Sequence, residues 1–184
     1  PTCTTSGGST SWTTGNRTLT GTCSDAGGSG CRGNVTKSFT SNTNGSYSPG
    51  TVYDNAGNSV VCSQTTVKID KSTPTCTTSE GNTSWARSDR TIIGTCNHAG
   101  PSGCSNISKV VNYDVNSSIT PETVRTGAGA TATCPATTVM LDKTKPTVSG
   151  VSNSSGGNWT NKNVTISFNT NDNLSGIVGR EYSY

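Results

Sequence analysis

Residues 1–6, Pro-Thr-Cys-Thr-Thr-Ser, recur unchanged as residues 74–79, and this repetition organises the chain. The four cysteines of the first copy recur in the second copy at the same spacing, to within one residue. After Pro146 a third copy begins, in which Val148 stands in place of the first cysteine. The sequence therefore predicts two complete repeats and one partial repeat, which cover residues 1–73, 74–145 and 146–184.

Strand-like runs in each copy predict an all-β fold. Polar and apolar side chains alternate in residues 17–23, 90–96 and 163–168, which is typical of a β-strand with one buried face. Threonine is frequent in these runs and suits a pleated surface. Clusters of Gly, Asn, Asp and Ser separate the runs, and no segment has the long 3.6-residue period of a helix. Each copy is therefore predicted to be a small antiparallel β-sandwich.

The composition indicates that disulfide bonds stabilise these units. Of the 184 residues only 28% are hydrophobic and 12% are charged, and the formal net charge is +3. A unit of about 70–80 residues with so small a core usually needs covalent staples. Four cysteines in each complete repeat predict bridges within that repeat, and hence an oxidising compartment, either the cell surface or the extracellular medium.

Each set of four cysteines allows three connectivities, which strand geometry ranks. A hairpin that turns near residue 13 places Cys3 opposite Cys23, close to disulfide reach. In the third copy Val148 and Phe168 are assigned to these two positions, so two apolar residues pack where a bridge would lie. We therefore predict four pairs: Cys3–Cys23, Cys31–Cys62, Cys76–Cys96 and Cys104–Cys134.

Several short motifs accompany the strands. A tryptophan precedes the second strand of each copy, Asp54-Asn-Ala-Gly-Asn58 has the composition of a turn, and Asp172-Asn-Leu-Ser-Gly176 follows the last strand run. The pattern Asp-Lys-Ser/Thr-x-Pro marks both repeat boundaries, at Asp70 and Asp142. Together these motifs resemble the bacterial immunoglobulin-like repeats of secreted and cell-surface proteins.

This resemblance implies tandem small immunoglobulin-like β-sandwiches, two complete and one partial, in an adhesin, stalk or fibre. It implies no common catalytic activity. The second copy departs from the pattern, because Thr126-Gly-Ala-Gly-Ala130 replaces the turn motif and His98 stands in place of Asp25. Fold likeness alone does not give a function.

The sequence offers few residues for catalysis or metal binding. His98 is the only histidine, and the cysteine spacings do not match zinc pairs, so His98 is interpreted as a loop residue. The chain is predicted to be no enzyme and to use no cofactor. Asp25, Asp54 and Asp172 lie in Gly/Asn-rich loops and are the candidate calcium ligands. The favoured interpretation is that these side chains hydrogen-bond nearby backbone and stabilise turns.

The three tryptophans have two interpretations. Trp12, Trp85 and Trp159 could stack on sugar rings, but their fixed place before the second strand favours a role in covering the edge of a small core. Lysines and arginines are spread along the chain, which argues against nucleic-acid binding. No apolar stretch is long enough for a membrane span. Because the chain opens on Pro-Thr-Cys, we expect its termini to have been cut from a longer protein.

Two functional hypotheses remain. The first is a rigid spacer, stalk or fibre segment whose partners are the neighbouring repeats, with possible assembly into a homopolymeric fibre. The second is an adhesin module whose loops bind a host glycan or surface protein. The spacer hypothesis rests on the joints, residues 71–74 and 143–146, which are short, contain proline and lack a Gly/Ser run.

Overall fold

Antiparallel strands form the regular structure of residues 1–179 and 181, which are the residues that this computed structural model describes. These residues contain no helix, so the predicted all-β class is confirmed. The first repeat forms three small sheets, with the strand orders β1-β2-β3, β4-β7 and β5-β6. Its strands are β1 (Thr2–Ser6), β2 (Arg17–Ser24), β3 (Val35–Phe39), β4 (Thr43–Tyr47), β5 (Thr51–Tyr53), β6 (Ser59–Val61) and β7 (Thr65–Ile69).

The second repeat follows the same plan with one short strand added. Its strand orders are β11-β9-β8, β12-β15 and β10-β13-β14, and the third segment is a hairpin of two strands. The strands of the second repeat are β8 (Thr75–Ser79), β9 (Arg90–Asn97), β10 (Cys104–Ser105), β11 (Ile107–Val111), β12 (Val115–Ile119), β13 (Thr123–Thr126), β14 (Thr131–Thr133) and β15 (Thr137–Leu141). Those of the third segment are β16 (Thr147–Asn153) and β17 (Ile166–Asn171).

The described residues fall into two structural units that do not coincide with the sequence repeats. The first unit contains the first repeat together with residues 94–107 and 121–135. The second unit contains residues 78–93 and 108–120 together with the chain from residue 136 onward. The second repeat thus contributes to both units, its disulfide-bearing end to the first and its opposite end to the second.

Each unit has its own small apolar core. In the first unit Leu19 of β2 packs against Val67 and Ile69 of β7, and all three side chains are fully buried. Side chains two residues apart on a strand share a face, so the Val-Lys-Ile alternation of β7 supplies both core residues. The second unit repeats this arrangement, with a fully buried cluster of Ile92, Val111, Val139 and Leu141.

The eight cysteines, all among the described residues, form four disulfides that stay within their own repeats, as predicted. The predicted register is also correct, since Cys3 lies opposite Cys23 on β1 and β2. The predicted connectivity is wrong in both repeats. The predicted pairs Cys3–Cys23, Cys31–Cys62, Cys76–Cys96 and Cys104–Cys134 are replaced by Cys3–Cys62, Cys23–Cys31, Cys76–Cys134 and Cys96–Cys104.

A glycine in the middle of β2 explains the observed connectivity. A Cβ atom on Gly21 would lie 2.6 Å from the Sγ of Cys62 and 3.0 Å from that of Cys3. The Cys3–Cys62 bridge therefore lies in the space that the absent side chain leaves, which draws Cys3 away from its cross-strand neighbour. Gly94 has the same role in the second repeat, because a Cβ there would lie 2.7 Å from the Sγ of Cys134.

The third hairpin corrects the assignment of Phe168. Val148 lies opposite Thr170 in the β16–β17 register, as Cys3 lies opposite Cys23. Thr170 therefore takes the place of the second cysteine, and Phe168, two residues earlier, takes the place of Gly21. A large apolar side chain thus stands where the complete repeats leave space for a disulfide.

Candidate functional site

The residues at the repeat boundaries form the most distinctive polar arrangement of the chain. β7 ends at Ile69 and β8 begins at Thr75, on either side of the predicted joint of residues 71–74. Asp70 follows β7 and is fully buried, although it carries a carboxylate. Its Oδ1 accepts a hydrogen bond from the backbone N–H of Ser72 at 3.0 Å, so it fixes the first turn of the connection.

The other oxygen of Asp70 receives three hydrogen bonds from one loop of the second repeat. Ser102 donates its backbone N–H at 2.9 Å and its hydroxyl at 2.5 Å to Oδ2. The Nε2 atom of His98 lies 2.7 Å from the same oxygen, and both side chains are buried. Gly100 makes this approach possible, because a Cβ there would lie 2.1 Å from Oδ1. We call this arrangement the first joint.

The geometry of the first joint differs from that of a nucleophilic triad. A catalytic serine donates its hydroxyl proton to the imidazole, and the imidazole in turn bonds the carboxylate. Here the hydroxyl of Ser102 bonds the carboxylate of Asp70 directly. The Nδ1 atom of His98 is buried without a hydrogen-bond partner among the described residues. The interpretation of His98 as a simple loop residue therefore omits its contact with the preceding repeat.

Electrostatics favour the charged form of Asp70. Burial by itself raises the pKa of a carboxyl, but the hydrogen bonds from Ser102, His98 and Ser72 outweigh burial and lower the pKa of Asp70 below its ordinary value. The joint thus depends on a buried carboxylate that is held ionised by the loop it orders.

A second joint repeats this device between the second repeat and the third segment. Asp142, after β15, accepts the backbone N–H of Ser175 at 2.9 Å and that of Thr144 at 3.0 Å. Hydrogen bonds from Ser175 are the main cause that lowers the pKa of Asp142. Sequence reasoning found the Asp-Lys and Ser-Gly motifs separately but not their contact. Their parallel recurrence, at Asp70 with Ser102 and at Asp142 with Ser175, was the available signal.

Each of the three candidate calcium ligands accepts hydrogen bonds from residues of its own loop. Asp25 accepts the hydroxyl of Ser29 at 3.1 Å and lies 3.5 Å from the amino group of Pro1. Asp54 accepts the backbone N–H and the side-chain amide of Asn58 at 2.8 and 2.7 Å. The bond from the Asn58 side chain is the main cause that lowers the pKa of Asp54.

The remaining candidate, Asp172, accepts the backbone N–H of Gly176 at 2.9 Å and that of Leu174 at 3.1 Å. In residues 1–179 and 181 no group of three or more His, Cys, Asp or Glu side chains is arranged to hold a metal ion. In the second repeat the hydroxyl of Thr126 accepts the N–H of Ala130, as Asp54 does from Asn58. A neutral hydroxyl can thus replace the Asp54 carboxylate, as expected of a turn-stabilising residue.

The tryptophans differ in exposure. Trp12 and Trp85 are half-buried, and the Nζ of Lys68 lies 5.6 Å from the ring centroid of Trp12, within cation–π distance. Trp159 is fully exposed, at 103% of its reference area. The edge-covering role therefore fits the two complete repeats and does not fit the third segment.

A surface groove distinguishes the two complete repeats. In the second repeat an open groove of about 620 Å³ lies between residues 102–107 and 123–127. The corresponding groove of the first repeat, between residues 32–35 and 51–53, has about 230 Å³. Arg125 lines the larger groove where Tyr53 lines the smaller one.

Comparison of the chain with protein-family models, with curated proteins and with solved structures finds no match. Among the described residues there is no helix with the length and apolar character needed to span a bilayer. We therefore infer the function from the geometry of the joints, the grooves and the sheets.

Proposed function

We propose that the chain is a structural array of tandem immunoglobulin-like β-sandwiches, similar to bacterial surface repeats, that acts as a rigid spacer, stalk or fibre segment. Four disulfides are consistent with an extracellular setting. The repeated hairpin and the facing strand pair, with Leu19 against Val67 and Ile69, support the sandwich arrangement. In this function the array holds other parts of a protein away from a surface and catalyses nothing.

The observation that carries this proposal is the recurrence of the buried aspartate at successive joints. A flexible tether gains nothing from a buried carboxylate that bonds the next repeat, because its hydrogen bonds restrict the motion of the connection. Both joints use an aspartate directly after the last strand and a serine amide in the following repeat. The same joint at each boundary is what a spacer of uniform repeats requires.

Small-angle scattering of the oxidised full chain tests the proposal. We expect a narrow distribution of interatomic distances for the unaltered protein and a broader one for Asp70→Ala, which removes the acceptor of Ser102 and His98. Asp25→Ala is the matched control, because it removes a carboxylate whose partners, Ser29 and the amino group of Pro1, lie in the first repeat and not in a joint. A broad distribution for the unaltered chain, or identical curves for Asp70→Ala and the unaltered chain, contradicts the spacer function.

One observation favours the second candidate, an adhesin module that binds a host glycan or surface protein. A pure spacer needs no difference between repeats, yet the groove of the second repeat is much larger than that of the first. A glycan and surface-protein array probed with the full chain and with Arg125→Ala tests this candidate. A ligand on the array that binds the unaltered chain but not Arg125→Ala supports the adhesin function. If no ligand on the array binds the chain, the adhesin function is contradicted.

A further inference from the structure

A short disulfide closes the loop on which the first joint depends. The three hydrogen bonds on Oδ2 of Asp70 come from residues 97–103, which we call the clasp loop. The two residues that flank this loop, Cys96 and Cys104, are joined by a disulfide. Cys96 lies on β9 and Cys104 on β10, and these two strands belong to different sheets. The bridge therefore fixes both ends of the clasp loop.

Noncovalent contacts also hold the ends of the clasp loop, but each of them is slight. The strand β10 is two residues long and pairs with β13. The N–H of Gly127 donates to the carbonyl of Gly103 at 3.1 Å. The side chain of Asn106 accepts the N–H of Cys96 at 2.9 Å. A single hydrogen bond contributes little net stability, whereas a disulfide removes conformations that an open loop regains. The bridge is therefore the main restraint on the clasp loop.

The disulfides differ in how far solvent reaches them. Cys62 and Cys134, which belong to the two long bridges, are each 2% exposed, and these bridges lie against the middle of β2 and of β9. Cys96 and Cys104 are both half-buried, and Cys104 lines the open groove of about 620 Å³. Thiol–disulfide exchange requires a thiolate to reach a sulfur of the bridge. A dissolved thiol can therefore reach the clasp-loop bridge from the groove, whereas the long bridges are shielded at one of their cysteines.

We propose that the Cys96–Cys104 bridge is a site of exchange with a dithiol reductant, and that its opening releases the first joint. One thiolate of the dithiol attacks a sulfur of the bridge, so that a mixed disulfide forms and the other cysteine leaves as a thiolate, which takes up a proton. The second thiol of the reductant loses its proton, attacks the mixed disulfide and displaces the remaining cysteine, which is protonated in turn. The chain thus gains two electrons and two protons as two thiols, and the reductant leaves as a disulfide.

Opening this bridge changes the joint and spares the rest of the second repeat. The Cys76–Cys134 bridge, which spans 58 residues, stays closed. The clasp loop, once its closure is lost, no longer holds Ser102 against the carboxylate of Asp70. The further step, from a released joint to a flexible array, rests on the proposed spacer function, whereas the exchange site itself does not.

The first repeat contains a matched bridge that lies outside the joints. Cys23 and Cys31 are eight residues apart, as are the two cysteines that flank the clasp loop, and both are half-buried. Their loop contains Asp25, which accepts the hydroxyl of Ser29 and lies near the amino group of Pro1. These contacts stay within the first repeat, so the opening of this bridge should leave the first joint intact.

Titration of the oxidised full chain with dithiothreitol tests the proposal. Differential alkylation followed by mass spectrometry should find Cys96 and Cys104 as thiols at dithiothreitol concentrations at which Cys62 and Cys134 are still paired. At the same concentrations the amide of Ser102 should exchange with solvent about tenfold faster or more, because a hydrogen bond to a charged group no longer protects it.

Two double variants separate the clasp loop from its counterpart. Cys96→Ser/Cys104→Ser opens the bridge without a reductant, so the amide of Ser102 should exchange fast in the absence of dithiothreitol. Cys23→Ser/Cys31→Ser is the matched control, in which the same amide should exchange as slowly as in the unaltered chain. Slow exchange of the amides of β15 in both variants verifies that the second repeat is folded.

Two results on the unaltered chain overturn the proposal, whether or not the variants fold. The first is reduction of Cys62 or Cys134 before the clasp-loop cysteines or together with them. The second is slow exchange of the Ser102 amide while the clasp-loop cysteines are thiols. Scattering of the oxidised chain tests the spacer function separately, because a broad distribution of distances there contradicts the spacer and leaves the exchange site unaffected.

Discussion

The first repeat and the third segment begin with the same antiparallel hairpin, yet only the first repeat buries it. Leu19 is fully buried, whereas Ile166 at the corresponding position is 53% exposed. The hairpins nevertheless share the pairing of their first strand positions, Cys3 with Cys23 and Val148 with Thr170. Strand pairing is therefore encoded within the hairpin, and burial depends on the second half of the repeat.

The two hairpins also differ in what fills the space above the sheet. The first repeat uses Gly21 and the Cys3–Cys62 bridge, whereas the third segment uses Val148 and Phe168. A bridge ties the hairpin covalently to the second half, but apolar side chains depend on contact with it. The third segment therefore lacks the covalent tie that fixes the hairpin of the first repeat.

The largest expected effect concerns isolated fragments. Residues 1–73 should unfold cooperatively, because they contain both halves of the core and two disulfides. Residues 146–184 should show no cooperative transition, since a lone two-stranded hairpin is marginal in water. Circular dichroism during thermal unfolding measures both. A monomeric 146–184 fragment that melts cooperatively would remove the distinction between the two regions.

The next effect concerns the two kinds of disulfide. The Cys3–Cys62 bridge spans 59 residues and joins the two halves, whereas Cys23–Cys31 spans 8. Loop-closure entropy gives stabilisations of about 4 and about 2.5 kcal/mol for loops of these lengths. Replacing each pair by alanines and following amide exchange of Leu19 should show the larger loss for Cys3 with Cys62. Equal losses of stability would mean that the bridge between the two halves stabilises the repeat no more than the short Cys23–Cys31 bridge does.

The connectivity illustrates where sequence reasoning succeeds and where it fails. The strand runs of the two complete repeats and the Cys3–Cys23 register follow from local patterns, and the structure confirms them. The third run, predicted over residues 163–168, is displaced, because β17 spans Ile166–Asn171. The bridge itself depends on how two sheets approach each other, which no local pattern encodes. Gly21, a glycine inside a threonine-rich strand, was the one sequence sign of a close approach.

The hydrogen bonds that Asp70 accepts from the second repeat were missed for a similar reason. Asp70 was visible in the boundary motif, but its contact with Ser102 depends on how a strand end meets a loop of the next repeat. Their separation along the chain exceeds the reach of strand or turn periodicity. His98 likewise gave no sign of its contact with Asp70, because a single histidine has no sequence pattern.

A pair of core substitutions tests the comparison at single positions. Leu19→Ala should cost about 2–5 kcal/mol, because it leaves a cavity against Val67 and Ile69. Ile166→Ala should change stability by less than about 0.5 kcal/mol, since the side chain is exposed. Residue-resolved amide exchange of the oxidised chain separates the two regions. A large loss at Ile166 would show that a covering contact already exists there.

The smallest effect concerns the two joints, one before the second repeat and one before the third segment. The hydrogen bonds to Asp70 lower the pKa of its carboxyl below the ordinary value of 3.8. A lowered folded-state pKa stabilises the native form above the ordinary value, and this contribution is lost as the pH falls through the folded-state pKa. The first joint should therefore stay intact from neutral pH down to about 3.8 and weaken only in stronger acid.

The amide NMR signal of Ser102 reports this directly, because its N–H donates to Asp70. It should remain unshifted until the pH is well below 3.8, and Asp70→Asn should abolish its acid titration. The amide of Ser175 should behave in the same way through Asp142, whose pKa is also lowered. If Ser175 titrates near 3.8 while Ser102 does not, the second joint is weaker than the first. The second repeat and the third segment would then differ in the strength of the joint that precedes each of them, as well as in the burial of their hairpins.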